Sequence, residues 1–183
     1  MLFSNFMFGA SAAGAGAILP VDSGVTVTPQ SSGNNAGFLF DAALNPGSGQ
    51  SQDVTIDYVV RVLTGSSNIT DSALSVEASD SARTNMTECL GGLLPACSGG
   101  TTVGLTASAS QLSDSNTFGG VSTVSAGTDI SAANGGNISG EQVEFSTGDD
   151  PPSDVPEPAS LLLFGTGVLG VALLLRRKLH LME

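Results

Sequence analysis

The chain has 183 residues, with 17 acidic side chains against five Lys and Arg and a formal net charge of −12. An acidic chain is repelled by the phosphates of nucleic acids and by anionic lipid headgroups, so we expect neither as a partner. The one histidine, His180, stands near the C-terminal end. The rest of the chain therefore has no imidazole for a Ser-His-Asp triad, a Cys-His pair or a His-ligated metal, and we expect no catalytic activity and no cofactor.

Residues 1–17 are predicted to be a signal peptide. The apolar region consists of Leu2, Phe3, Phe6, Met7 and Phe8. Ala15-Gly16-Ala17 then provides the small residues of a cleavage site. No Lys or Arg precedes Arg61, so the basic region that normally opens such a signal is missing. We interpret the segment as a signal peptide, or the remnant of one whose true start lies upstream.

Residues 18–147 are predicted to form one all-β domain. Short segments in which apolar and polar residues alternate are separated by turns rich in Gly, Ser and Asn. The predicted strands begin at or near Val25, Phe38, Val54, Leu74, Val103, Val121 and Val143. Short strands in this number and spacing favour a single β-sandwich, with a jelly roll or an immunoglobulin-like sandwich as the nearest forms.

The segment from Val54 to Leu63 predicts a central strand. Its even-numbered residues are all apolar and would share one face, whereas Thr55 and Asp57 would face the other way. Val59 adds apolar surface to that second face. We therefore expect a strand that is buried in part on both faces.

Cys89 and Cys97 are the two cysteines of the chain, and both would lie on the exported side. An oxidising compartment favours a disulfide between them, with two buried free thiols as the alternative. Closing so short a loop would stabilise the fold by about 2.5 kcal/mol on the chain-entropy estimate.

Paired carboxylates are the remaining catalytic possibility, because glycoside hydrolysis uses two of them. The candidates are Asp53 with Asp57, and Glu141 with Glu144. Spacings of four and three residues do not place both pairs consistently on one strand face, so we interpret all four as solvated surface charges. The acidic composition also suits Ca²⁺, but the sequence contains neither an EF-hand loop nor a Gly-Asp nonapeptide repeat.

Residues 148–158, rich in Asp, Pro and Ser, are predicted to be an extended linker. The linker ends in Val155-Pro156-Glu157-Pro158. Proline disfavours a helix and keeps the preceding residue extended, so Glu157 would be displayed to a processing enzyme.

Residues 159–178 are predicted to be a transmembrane helix and its basic stop. Ala159 to Leu175 carries no charge and as a helix would be about 25 Å long, slightly shorter than a bilayer core. Three basic residues follow directly, Arg176, Arg177 and Lys178. They would keep this end of the helix in the cytoplasm. Residues 179–183 would then be a cytoplasmic end, and everything before the helix would lie outside.

Pro156-Glu157-Pro158, the short apolar helix and the closing Arg-Arg-Lys together resemble the PEP-CTERM sorting signal of Gram-negative bacteria. The same tail is also labelled an ice-binding protein C-terminal domain. The resemblance implies processing by a membrane-embedded exosortase, an association with exopolysaccharide, and delivery to the cell surface or extracellular matrix.

Three hypotheses follow for the whole chain. The first is a surface or matrix protein without catalytic activity. Its precursor would be anchored in the inner membrane, and processing would release it. The second is a surface module that binds polysaccharide or Ca²⁺ through acidic loops of the sandwich. The third is a single-pass membrane protein that is never processed.

Overall fold

Residues 1–63 and 67–148 are described by a computed structural model, and they form two five-stranded β-sheets. The strands are β1 (Leu2–Ala13), β2 (Val25–Ser32), β3 (Asn35–Ala42), β4 (Ser51–Arg61), β5 (Ile69–Ser79), β6 (Arg83–Leu90), β7 (Thr101–Ser108), β8 (Ser113–Val121), β9 (Thr123–Ala133) and β10 (Asn137–Thr147). One turn of 3-10 helix, Asp22–Gly24, precedes β2. The predicted mainly β class and the sandwich of two sheets are confirmed.

The strands pair antiparallel in both sheets. Sheet A has the order β1-β4-β9-β6-β7, and sheet B has the order β2-β3-β10-β5-β8. β4 and β9 are therefore interior strands of sheet A. β1 and β2 each lie at one end of their sheet, and β7 and β8 lie at the other ends. The predicted central strand is β4, paired on both sides.

The core lies between the two sheets and is built on aromatic rings. The inward residues of β4 are Val54, Ile56, Tyr58 and Val60, all at most 4% exposed. The Tyr58 ring meets Phe38 of sheet B edge-on, with ring centroids 5.6 Å apart, and its hydroxyl donates to Met86 Sδ at 3.4 Å. The ring contact joins the two sheets and stabilises the sandwich, whereas the hydrogen bond links two strands of sheet A.

Two carboxyl groups are also buried in this core. Ser72 Oγ donates to Glu88 Oε2 at 2.7 Å, and the Thr84 hydroxyl donates to Glu141 Oε2. The Oε1 atom of each carboxyl has no hydrogen-bond partner among the described residues. Burial raises the pKa of Glu88 to about 7 and that of Glu141 to about 8, because a charged carboxylate is poorly solvated there.

The prediction that Glu141 is a solvated surface charge is therefore wrong. Glu141 lies on β10 two residues before the buried Val143 and four before Phe145, so the two-residue period of a strand turns all three side chains inward. Glu144 has the opposite parity and accepts a hydrogen bond from Gln142 Nε2 at 2.9 Å outside the core.

Three strands were not predicted: β1, β6 and β8. β1 occupies most of the segment predicted to be a signal peptide and pairs with β4. Its Phe3 ring packs on Phe38 with ring centroids 4.3 Å apart. Removal of residues 1–17 is a processing event and stays a prediction. Pro29 lies inside β2, which tolerates it because an edge strand needs no donor on its outer side.

The predicted transmembrane helix and the sorting residues lie outside the described residues. Within residues 1–63 and 67–148, the structure has no helix long and apolar enough to cross a membrane.

Candidate functional site

A groove of about 600 Å³ lies on the outer face of sheet A. The odd-numbered residues of β4 and β9 line it, because the even-numbered ones are turned into the core. Asp57, Asp129 and Asn85 provide polar groups, and Met7 of β1 provides an apolar side chain at one end. The groove thus offers hydrogen-bonding groups between apolar surfaces, as ligand sites in proteins do.

The other wall of the groove is the loop that joins β6 to β7. A disulfide links Cys89 to Cys97, with Cα atoms 5.3 Å apart, so the predicted bridge is present. The loop places Leu93, Leu94 and Pro95 against the groove, and the Leu94 N–H donates to Ser125 Oγ at 3.2 Å. The disulfide and this hydrogen bond together hold the loop over the sheet.

Asp53 and Asp129 form a carboxyl pair beside the groove. The pKa of Asp53 is raised to about 6, first by burial and then by the hydrogen bond and the charge of Asp129, while Arg83 opposes the shift. Asp129 Oδ1 is buried and has no hydrogen-bond partner among the residues that the structure describes.

Asp57 lies over a glycine on the neighbouring strand. A Cβ atom on Gly127, which pairs with Asp57, would come within 2.4 Å of the Asp57 Oδ1 atom. The missing side chain at position 127 therefore leaves space for the carboxylate. On the other side of the groove, Asn85 Oδ1 accepts a hydrogen bond from Thr106 Oγ1 at 3.1 Å, which orients the Asn85 amide.

The groove is suited to binding through hydrogen bonds. Its carboxylates accept from hydroxyl or ammonium groups, and the Asn85 amide can donate. The described residues contain no group of three His, Cys, Asp or Glu side chains arranged to hold a metal ion.

The structure places one predicted carboxylate pair on one strand face and the other pair on opposite faces. Asp53 and Asp57 lie on the same outer face of β4, because a spacing of four residues keeps the same side of a strand. Glu141 and Glu144 lie on opposite faces of β10. Asp129 and Asn85 were missed, since only the strand register places them beside β4.

The sorting residues Val155 to Pro158 and the basic residues Arg176 to Lys178 are outside the described part of the chain. Residues 154–178 match the family model of the PEP-CTERM protein-sorting motif. The resemblance found in the sequence is thereby confirmed for the tail. A search of curated proteins found no relative of the chain.

Several solved structures are similar to this chain at low identity. TmCBM61 in complex with β-1,4-galactotriose is 9% identical, with 74% of this chain and 86% of that chain covered and a TM-score of 0.39. The family 11 carbohydrate-binding module of the Lic26A-Cel5E cellulase of Clostridium thermocellum is 11% identical, with 77% and 88% covered and a TM-score of 0.31. The enzymatically active domain of bacteriophage CBA120 tailspike protein 4 is 12% identical, with 79% of this chain but 19% of that chain covered and a TM-score of 0.32. At these scores we take no ligand or activity from them.

Proposed function

We propose that this chain is an exported bacterial surface or matrix protein without catalytic activity, whose C-terminal tail is processed by an exosortase. The observation that carries the proposal is the match of residues 154–178 to the PEP-CTERM protein-sorting motif. Export also agrees with the disulfide between Cys89 and Cys97, because such bonds persist in oxidising compartments. In this proposal the apolar run holds the precursor in the inner membrane, and Pro156-Glu157-Pro158 presents the processing site.

The processing step can be tested by replacing Glu157 and Pro158 with Ala in the full chain. We expect the cell-surface product of the native chain to lack the C-terminal helix by intact mass, and the double variant to keep it. Ser153→Ala, just upstream of the matched residues 154–178, is the control and should be processed normally. A surface protein that carries the whole tail in the native chain would favour the alternative of an unprocessed single-pass protein.

A second candidate function is the binding of polysaccharide in the groove on sheet A. The supporting observation is the groove itself, about 600 Å³, with carboxylates and an amide on its floor and apolar side chains on its walls. Carboxylates accept hydrogen bonds from sugar hydroxyls, and apolar walls pack on sugar C–H groups. Because Asp57 and Asp129 are both acidic and the chain carries −12, we expect a neutral or amine-bearing polysaccharide and not a uronic acid polymer.

Affinity electrophoresis in gels that contain a neutral glucan, chitosan or polygalacturonate tests this candidate. We expect one of the first two polymers to retard the full chain and polygalacturonate to have no effect. Asp57→Asn should weaken the retardation about tenfold, since a charge-assisted hydrogen bond is lost. Asp41→Asn, an exposed residue on sheet B, is the matched control. Equal retardation of both variants, or none by either polymer, would contradict the candidate and leave the sorting proposal untouched.

A further inference from the structure

β1 supplies one end of sheet A, although it lies in the segment that the sequence predicts to be a signal peptide. Its register with β4 runs from Leu2 opposite Arg61 to Ala13 opposite Ser51. β4 is therefore hydrogen-bonded along both edges. Without β1, one edge of this interior strand would present unpaired N–H and C=O groups.

A bulge in β1 turns its aromatic rings toward the core. The pairing shifts by one residue at Asn5 and Phe6, so that these two residues stand opposite Tyr58 alone. Asn5 has a φ of 58°, a left-handed conformation that asparagine tolerates better than most residues do. Phe3 and Phe6 can thereby face the core together, whereas the odd spacing between them would place them on opposite faces of a regular strand.

The rings of Phe3 and Phe6 cover the aromatic core of the sandwich. The ring centroid of Phe3 lies 4.3 Å from that of Phe38 and 6.2 Å from that of Phe145. The ring centroid of Phe6 lies 5.3 Å from that of Phe38 and 5.7 Å from that of Tyr58. The three covered rings are at most 4% exposed. Removal of β1 would expose them to water, which is unfavourable for apolar surface.

The segment around the predicted cleavage site is also bound to the domain. Gln50 Nε2 donates to the Ala15 carbonyl oxygen at 2.7 Å, and Gln52 Nε2 donates to the Ile18 carbonyl oxygen at 2.8 Å. Residues 14–17 form a turn that is closed by a backbone hydrogen bond. Cleavage at this point would require these contacts to open.

The polar residues of the segment suit a strand better than a signal peptide. The apolar region of a signal peptide is about 7–15 residues long. Ser4 and Asn5 divide the apolar residues of this segment, and Ser11 follows them. Ser4 pairs with Val59 and Ser11 with Asp53, so both serines lie on the outer face of sheet A, where polar side chains are expected.

On the basis that the chain is exported, we propose that residues 1–17 are a permanent part of the exported domain and are not cleaved from it. The segment then serves as a structural strand in place of the signal peptide that the sequence predicts. β1 also contributes Asn5 and Met7 to one end of the groove on sheet A. The exported protein therefore carries the groove with its full lining.

Peptide mapping of the protein recovered from the cell surface tests this assignment. Residues 1–21 contain no Asp or Glu, so a protease that cuts before aspartate leaves them joined and releases the peptide that ends at Val21. We expect that peptide to include residues 1–17. A peptide that begins at Ile18 would overturn the proposal. The C-terminal peptides of the same sample report exosortase processing separately, so failure of one proposal is distinguished from failure of the other.

Thermal unfolding of the purified full chain in detergent tests the packing of β1 without depending on export. Phe3→Ala removes the ring that contacts Phe38 and Phe145, so we expect the Tm to fall by at least about 5 °C. Leu2→Ala is the matched control, since Leu2 lies next to Phe3 on the outer face and is 51% exposed. Its Tm should stay within about 2 °C of the native value. Equal Tm values for the two variants would show that β1 is not packed in the domain and would also overturn the proposal.

Discussion

The folded domain should lose stability as the pH rises from 5 to 9, on the order of 3 kcal/mol. The cause is the burial of Glu88 and Glu141 between the sheets, which raises their pKa values from 4.5 to about 7 and about 8. The folded state therefore binds these protons more tightly than the unfolded chain does. This stabilisation is complete below pH 4.5, and it is lost as the pH rises through the pKa values of the two carboxyls in the folded state. From the size of each pKa shift, the loss of unfolding free energy is at most about 3 kcal/mol for Glu88 and about 5 kcal/mol for Glu141.

Thermal unfolding followed by circular dichroism, at pH 5 and pH 9 with the disulfide intact, measures this effect. A loss of 3 kcal/mol corresponds to a fall in Tm of about 10 °C for a domain of this size. Glu88→Gln and Glu141→Gln keep the shape of the side chain and remove the titrating group, so each should make the difference between the two pH values smaller. Glu77→Gln, on the exposed side of β5, should keep the native difference. A Tm that is constant or rises toward pH 9 would show that these carboxyls are not buried as described.

The structure confirms the predicted strands in which apolar and polar residues alternate clearly. β4 is the best example, because Val54, Ile56, Tyr58 and Val60 recur at every second position and all four are in the core. β6 follows the same period, but its inward residues include Thr84 and Glu88 beside Met86. A polar residue that faces inward breaks the pattern from which a strand is predicted, so β6 was missed for a physical reason.

The edges of the sandwich were harder to predict for a different reason. β8 contains few apolar residues and pairs only with β5 among the described strands, so backbone hydrogen bonds and not side-chain burial define it. β1 has a run of apolar residues that is also typical of a signal peptide. Composition alone does not distinguish an edge strand with an exposed apolar surface from a segment destined for removal.

The candidate groove could be predicted only in part. Cys89 and Cys97 are eight residues apart and were both expected on the exported side, and these two features together predicted the disulfide that holds its wall. Its floor joins Asp57 of β4, Asp129 of β9 and Asn85 of β6, which are far apart in sequence. Only the register of three strands places these residues together, and a single sequence does not encode that register in a local pattern.

Gly37→Ala should destabilise the domain by more than about 4 kcal/mol, enough to prevent folding at ordinary temperatures. Gly37 lies in β3, opposite Glu144 of β10, inside sheet B. An added Cβ would come within 1.8 Å of the Val143 carbonyl oxygen, and this atom belongs to the backbone, so no side-chain rotation relieves the contact. β3 and β10 would have to separate, which breaks ladder hydrogen bonds and moves Phe38, the ring that contacts Tyr58.

The direction of the stability change distinguishes a steric clash at Gly37 from the general effect of replacing glycine with alanine in a strand. Inside a strand, replacing Gly with Ala usually stabilises by about 0.5–1 kcal/mol, because the unfolded chain loses freedom. Gly119→Ala in β8 is the matched control, since a Cβ there would meet no atom within 4 Å. We therefore expect Gly119→Ala to keep or raise the Tm, and Gly37→Ala to give no cooperative unfolding transition by circular dichroism. If both variants melt within a few degrees of the native chain, β3 and β10 do not approach each other at Gly37 as described, and the pairing at the centre of sheet B is wrong.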